Sequence, residues 1–201
     1  SHADVVTALF RRANEAQMEL GCDENKLRVT PNGVHIERFA DVPDKPEDGW
    51  TDIGAIVRIA RIKDIKTMIY AFAEVKREIG NVRLHIMGDI DDGEYYEACR
   101  TLIEQLGVQD IIFTGSVDVA EYIKKLDFII LTSISEGQPL SVLEAFAAGR
   151  ACVTTDVGCC RELIEGNDGL GEAGICVPPM NKEQVAQAML ELCREPFTRK
   201  R

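Results

Sequence analysis

The sequence predicts an α/β protein built on a Rossmann-like, doubly wound parallel sheet of about six strands. Three observations carry that prediction. From residue 51 onward, short apolar runs alternate with longer segments of helical spacing. The short runs are almost continuously apolar and rich in β-branched residues, as strands buried on both faces require. The composition, 45% hydrophobic and 28% charged, is that of a globular chain with a core.

In chain order, Val5, Leu9, Ala13, Ala16 and Leu20 recur at helical spacing, so Asp4–Leu20 reads as one helix ended by Gly21. Leu27–Thr30 reads as a short strand stopped by Pro31-Asn32-Gly33. Residues 41–50 form an acidic, proline-containing loop that separates the first 40 residues from a sheet domain spanning 51–201. In that domain strand Ile53–Ile59 comes first, followed by helix Ile65–Ile79, whose residues Ile65, Met68, Ile69, Phe72 and Ile79 share one face. Strand Val82–Met87, helix Glu94–Leu106, strand Ile111–Thr114 and helix Val119–Leu126 follow. The remainder reads as strand Phe128–Leu131, helix Pro139–Ala148, strand Ala151–Thr155, a short helix at Arg161–Ile164, strand Gly174–Val177 and helix Lys182–Arg194. In a sheet of this kind ligands bind beyond the carboxyl ends of the strands. The loops of interest are therefore Ala60–Asp64, Gly88–Gly93, Gly115–Asp118, Thr132–Gln138 and Asp156–Cys160.

Bulk properties exclude several functions. A net charge of -11 argues against a nucleic-acid partner, which needs a broad basic face. It leaves room for one nucleotide, whose phosphates need only a few local cations. No apolar run approaches the roughly 20 residues of a membrane span, and no signal-peptide pattern opens the chain. The 7 cysteines form no paired C-x-x-C spacing, and no His lies near Cys159–Cys160, so a reducing, cytoplasmic setting without a zinc site is expected. The chain begins with Ser rather than Met, which suggests a trimmed piece with Ser1–His2 as a cloning remnant.

The chemistry concentrates at Ser135–Gly149. Pro139 suits a first helical turn, where its missing N–H is not needed. The amides of Leu140 and Ser141 then leave the helix without intrahelical acceptors, an arrangement that binds phosphate. Gly137 allows a ligand close to the backbone and Gln138 completes the loop. Glu136 precedes the helix, and Glu144 lies ~7–8 Å into it at about 1.5 Å per residue. Carboxylates do not face a phosphate, so these two are expected to accept hydrogen bonds from hydroxyls on either side of it. A nucleoside diphosphate-sugar has that layout.

Glu136 and Glu144, separated by seven residues and followed by Ala-Phe-Ala-Ala-Gly, resemble the paired-glutamate motif of family 4 retaining glycosyltransferases of the GT-B fold. Pro31-Asn32-Gly33-Val34 with Arg38-Phe39 is similar to that family's linker signature, and Arg58–Asp64 to its Gly-Arg…Lys-Gly segment. Thr155–Gly158 with Arg161-Glu162-Leu163, and Gly174–Pro178, resemble its last two conserved segments. The departures are His35 in place of Asp, Val57 in place of the Gly before the Arg, and Cys159 in place of a small residue.

The resemblance implies roles. Arg58 and Lys63 grip the donor diphosphate, Glu136 holds the hexose, Glu144 the ribose, and the backbone near Val117 meets the base. It implies transfer of a hexose, glucose foremost, from a UDP-sugar with retention, by front-face displacement and without a metal or other cofactor. It further implies that residues 1–40 are the tail of an N-terminal acceptor domain and its linker. Residues 51–201 are then the nucleotide-sugar domain, ending before the C-terminal crossover helices. On that basis the isolated chain binds donor without useful turnover, and a membrane-associated polysaccharide synthesis complex is its expected partner. The rivals are a UDP-sugar 2-epimerase of the same fold and a non-catalytic nucleotide-binding or docking domain.

Other patterns are discounted. Asp89-Ile90-Asp91-Asp92 contains a D-x-D, but it reads as a turn with Asp92 capping a helix. An EF-hand fails because Arg100 stands where its last ligand belongs. His85 alternates within a strand and reads as packed. Neither a G-x-G-x-x-G after the first strand nor a Walker lysine motif is present.

Overall fold

A computed structural model describes residues 3–39, 42, 45–166 and 172–195. The expectations for Ser1–His2, for part of the acidic stretch 41–50 and for the last residues to Arg201 lie outside the described residues.

The chain opens with β1 (Val6–Ala8), α1 (Arg11–Glu19) and β2 (Leu27–Val29). This corrects the single helix expected over Asp4–Leu20. Val6–Ala8 is extended and pairs in parallel with Leu27–Val29, and Thr30 N–H continues the ladder to Ala8 O at 2.8 Å. Three residues are too few to display a twofold apolar alternation, so the helical spacing of Val5, Leu9 and Ala13 masked the strand.

The larger unit is β3 (Thr51–Ile56), α2 (Ile65–Ile79), β4 (Val82–Met87), α3 (Gly93–Leu106), β5 (Ile111–Gly115), α4 (Val119–Tyr122) and β6 (Phe128–Leu131). It continues with α5 (Leu140–Ala147), β7 (Cys152–Thr155), α6 (Cys160–Glu165), β8 (Gly174–Val177) and α7 (Lys182–Arg194). The six-stranded sheet has the order β5-β4-β3-β6-β7-β8, and every pairing is parallel. This is the doubly wound Rossmann order, whose direction reverses between its first and fourth strands, here β3 and β6. Phe72, Phe128, Ile53, Met68 and Leu84 are among the largest fully buried side chains, each contributing about 1.5–3 kcal/mol by leaving water.

Several boundaries shift by a residue or more from expectation, and three of these shifts shape the sheet and its loops. The first strand begins at Thr51 and leaves the ladder after Ile56. Beyond it the chain still runs beside β4, with Val57 N–H on Met87 O and Ile59 N–H on Asp89 O, both at 2.9 Å. That close approach requires Gly88, because a Cβ there would sit 2.2 Å from Val57 O. Helix α4 tightens to a 3-10 turn at Ile123–Lys125 instead of continuing to Leu126. Pro139 occupies the cap before α5, with φ -72° and ψ 121°, rather than the first helical turn.

The amino end of the sheet is closed by a buried ionic cluster. Asp52, 1% exposed, accepts hydrogen bonds from Arg83 at 2.5 and 2.7 Å, and Lys45 pairs with it directly. His85 Nε2 lies 2.8 Å from Asp52 Oδ1, while its Nδ1 is 3.0 Å from the Tyr122 hydroxyl. The packing predicted for His85 is thus what the structure shows. Lys45 also reaches Trp50 O at 2.6 Å and Asp127 Oδ2 at 3.1 Å. Trp50 lies under the cations of Lys76 and Arg83, at 5.0 and 4.8 Å. Burial raises the Asp52 carboxyl, but hydrogen bonds from His85, Arg83 and Lys45 outweigh it and hold the group well below the usual carboxylate range. Residues 45–50 are thereby pinned to the base of the sheet.

Candidate functional site

Because the strand order reverses between β3 and β6, the loops after their carboxyl ends face each other across a crevice. Two hydrogen-bonded connections fix them. Ile134 N–H donates to Ile62 O at 2.9 Å, and the Thr132 hydroxyl lies 3.1 Å from Lys63 O and 3.0 Å from Asp64 O. Asp64 holds a left-handed conformation, φ 46°, and caps α2 through Thr67 N–H. The family pattern has Gly at this position, the residue that adopts such a conformation most readily.

This junction brings Lys63 and Glu136 together. Lys63 Nζ is 2.5 Å from Glu136 Oε1, with both side chains largely buried. Ser133 Oγ donates to the same oxygen at 2.6 Å. On sequence grounds Lys63 is assigned to the diphosphate and Glu136 to the hexose; the structure pairs the two with each other.

Behind Glu136 the chain turns through Gly137, Gln138 and the buried Pro139 into α5. A proline cap offers no side-chain acceptor, and none is present at this helix end. The Leu140 and Ser141 amides therefore open the helix without intrahelical acceptors, and Leu140 is 49% exposed. The loop is buttressed from both sides. Asn32 N–H donates to Gln138 Oε1 at 2.5 Å, and Asn32 Nδ2 to Gln138 O at 3.0 Å. Cys159 N–H donates to Gly137 O at 3.1 Å. Gly158, at φ +56°, passes so near that a Cβ would sit 2.2 Å from Gly137 O and 2.5 Å from Glu136 O.

Arg58 stands elsewhere. It is well exposed, and its Nη1 donates to Asp91 Oδ2 at 2.6 Å, on the loop after β4. Arg58 and Lys63, assigned together to the diphosphate on sequence grounds, thus bond different carboxylates, Asp91 and Glu136. Within α5, Glu144 is half-buried; desolvation pushes its carboxyl above the ordinary value, and the Arg38 charge partly opposes this. Arg38 in turn bonds Asp118 at 3.1 Å, which places Glu144 toward the loop after β5. Val117, in that loop, packs its side chain partly against the core.

The acidic loop behaves as a turn and cap: Asp92 accepts Tyr95 N–H at 2.9 Å and pairs with Arg61, also at 2.9 Å. Among the described residues no cluster of three or more His, Cys, Asp or Glu side chains has metal-binding geometry. Cys159 is 2% exposed, and burial pushes its thiol up to about 11 and that of Cys160 to about 12. Such buried, protonated thiols are unreactive. Ser133, Asn32 and Gly158 were missed as site residues. Asn32 and Gly158 lay in recognised segments but were read only as linker and loop, while Ser133 gave no signal beyond standing three residues before Glu136.

A six-stranded parallel sheet whose strand order reverses beside an uncapped helix start defines a doubly wound, Rossmann-like α/β protein. The model of the family described as glycosyl transferases group 1 matches residues 51–195, and the chain belongs to that family. It is 30% identical over 199 aligned residues to alpha-monoglucosyldiacylglycerol synthase of Streptococcus pneumoniae, covering 85% of this chain and 44% of that protein. It is 28% identical over 165 residues to lipopolysaccharide 1,6-galactosyltransferase of Escherichia coli, covering 77% and 43%. The chain thus spans less than half the length of these relatives. Among solved structures, Anabaena Alr3699/HepE in complex with UDP-glucose superposes with a TM-score of 0.81 at 19% identity, over 98% of this chain and 56% of that one. The apo lipopolysaccharide outer core galactosyltransferase WaaB does so at 0.74 and 24% identity, over 99% and 58%. These likenesses establish the GT-B, Rossmann-like fold. Among the described residues no helix is long and apolar enough to cross a membrane.

Proposed function

We propose that this chain is the donor-binding half of a retaining glycosyltransferase that takes a hexose, glucose foremost, from a UDP-sugar. The observation that carries this reading is the Lys63–Glu136 pair, 2.5 Å apart, set before the uncapped start of α5. Lys63 has three donors, so one can stay on Glu136 while another meets a phosphate oxygen. Arg58 holds Asp91 through one nitrogen and keeps others for the diphosphate. Together with the Leu140 and Ser141 amides they meet the charge that grows on the leaving diphosphate, a role that needs no metal. Glu136 fixes the hexose in register, Glu144 accepts from the ribose, and the backbone at Val117 faces the base.

The segments Ile62–Thr67 and Ser135–Leu140 resemble those of the glucosyltransferase of Pel exopolysaccharide synthesis, which supports glucose as the sugar and an exopolysaccharide as the product. On this reading the acceptor site belongs to an N-terminal domain, the reaction takes place on the cytoplasmic side beside a membrane-associated complex, and the chain alone binds donor without turnover. Calorimetric titration with UDP, UDP-glucose, UDP-GlcNAc, GDP and ADP tests it. UDP-glucose should bind best of the five. Absence of nucleotide binding would overturn the proposal in favour of a docking role.

A further inference from the structure

The carboxylate assigned to the sugar is held from behind, on one oxygen only. Glu136 Oε1 receives both Lys63 Nζ, at 2.5 Å, and Ser133 Oγ, at 2.6 Å. Its other oxygen, Oε2, meets no donor among the described residues and keeps access to solvent. Ser133 is itself fully buried, and its carbonyl accepts the Thr155 hydroxyl at 2.6 Å. The hydroxyl that holds Glu136 thus stands on a backbone fastened to the neighbouring strand β7.

The two donors differ in kind. Lys63 is a mobile ammonium on a four-carbon stem, and a diphosphate in the crevice would compete for it. Ser133 has a single proton, a short side chain and no solvent to turn toward. When Lys63 shares its charge with phosphate, Ser133 still fixes the carboxylate plane. We propose that Ser133 is a positioning residue that presents Glu136 Oε2 to a sugar hydroxyl and so sets how strongly the site prefers a nucleotide-sugar over the bare nucleotide. The inference rests on the donor-site reading above.

The test compares UDP with UDP-glucose by calorimetry on the unaltered chain, Ser133→Ala and Ser133→Cys. The thiol variant keeps the buried site filled with a slightly larger group that offers only a weak donor. In each folded variant UDP should bind within about twofold of the unaltered chain, while UDP-glucose weakens about tenfold, as expected for a lost hydrogen bond to a charged group. Parallel weakening of both ligands would make Ser133 merely structural and overturn the proposal. So would an undiminished UDP-glucose affinity, or an unaltered chain that binds the two ligands equally. An unaltered chain that binds neither would overturn the donor-site reading as well.

Discussion

The two ends of the central sheet carry ion pairs of opposite character. At the amino end, Arg83, Lys45 and His85 converge on the buried Asp52, and Lys45 also pairs with Asp127. At the carboxyl end, Arg58–Asp91 is exposed, and Glu136, held by Lys63 and Ser133 on one oxygen, keeps a second with no donor among the described residues. A closed cluster has no bonding capacity to spare and is costly to break, because removing one charge strands the rest. A half-satisfied one can accept a ligand, because donors and acceptors remain unused.

That contrast breaks most visibly at Asp52. Asp52→Ala leaves Lys45 and Arg83 without their buried partner and should lower the unfolding free energy by about 3–5 kcal/mol, measured by urea denaturation followed by circular dichroism. UDP affinity of the folded fraction should stay within about twofold, since the site is at the other end of the sheet. Because the Asp52 carboxyl is depressed, its contribution is present above the ordinary carboxylate range near pH 4 and is lost as the pH falls toward its folded value. The unaltered chain should therefore lose stability below about pH 4, and Asp52→Asn should lose less over that interval.

At the carboxyl end, Gly158→Ala drives a methyl group into the Gly137 and Glu136 carbonyls and strains a left-handed backbone. A loss of about 2 kcal/mol is expected, together with weaker UDP-glucose binding. An unchanged melting temperature would mean that the loop yields freely.

Glu144→Gln sharpens the comparison in the opposite sense. The Glu144 carboxyl is raised by burial, so the fold favours its protonated form, and its contribution falls as the pH climbs from the unfolded value through the folded one. The variant should remove that decline and change stability at pH 7 by no more than about 0.5 kcal/mol, while UDP binding weakens. The smallest effect belongs to Asp91→Asn. It breaks an exposed pair worth about 0–1 kcal/mol, and should leave stability nearly unchanged while releasing Arg58 and altering UDP affinity at most a few-fold.

Legibility from sequence followed the range of the forces involved. Helices α2 and α7 and strands β4, β6 and β8 have the predicted bounds, because each is long, strongly periodic or closed by a local stop signal. Strand β1 was absorbed into a helix because three residues cannot express a period. The start of β3 was missed because Thr51 and Asp52 are polar, and only partners far along the chain make Asp52 a core residue. The segment 136–144 was found because its motif is local. Its supports were not: Asn32 reaches Gln138 across 106 residues, and Lys63 reaches Glu136 across 73. Arg58 shows the converse, since its motif fixes its loop but not the carboxylate it chooses.

The contacts of Trp50 have a practical consequence. The chain has a single tryptophan, and its indole packs against two cations at the sheet's amino end. Its intrinsic fluorescence therefore reports whether that end is assembled, so unfolding can be followed by tryptophan emission while calorimetry follows ligand.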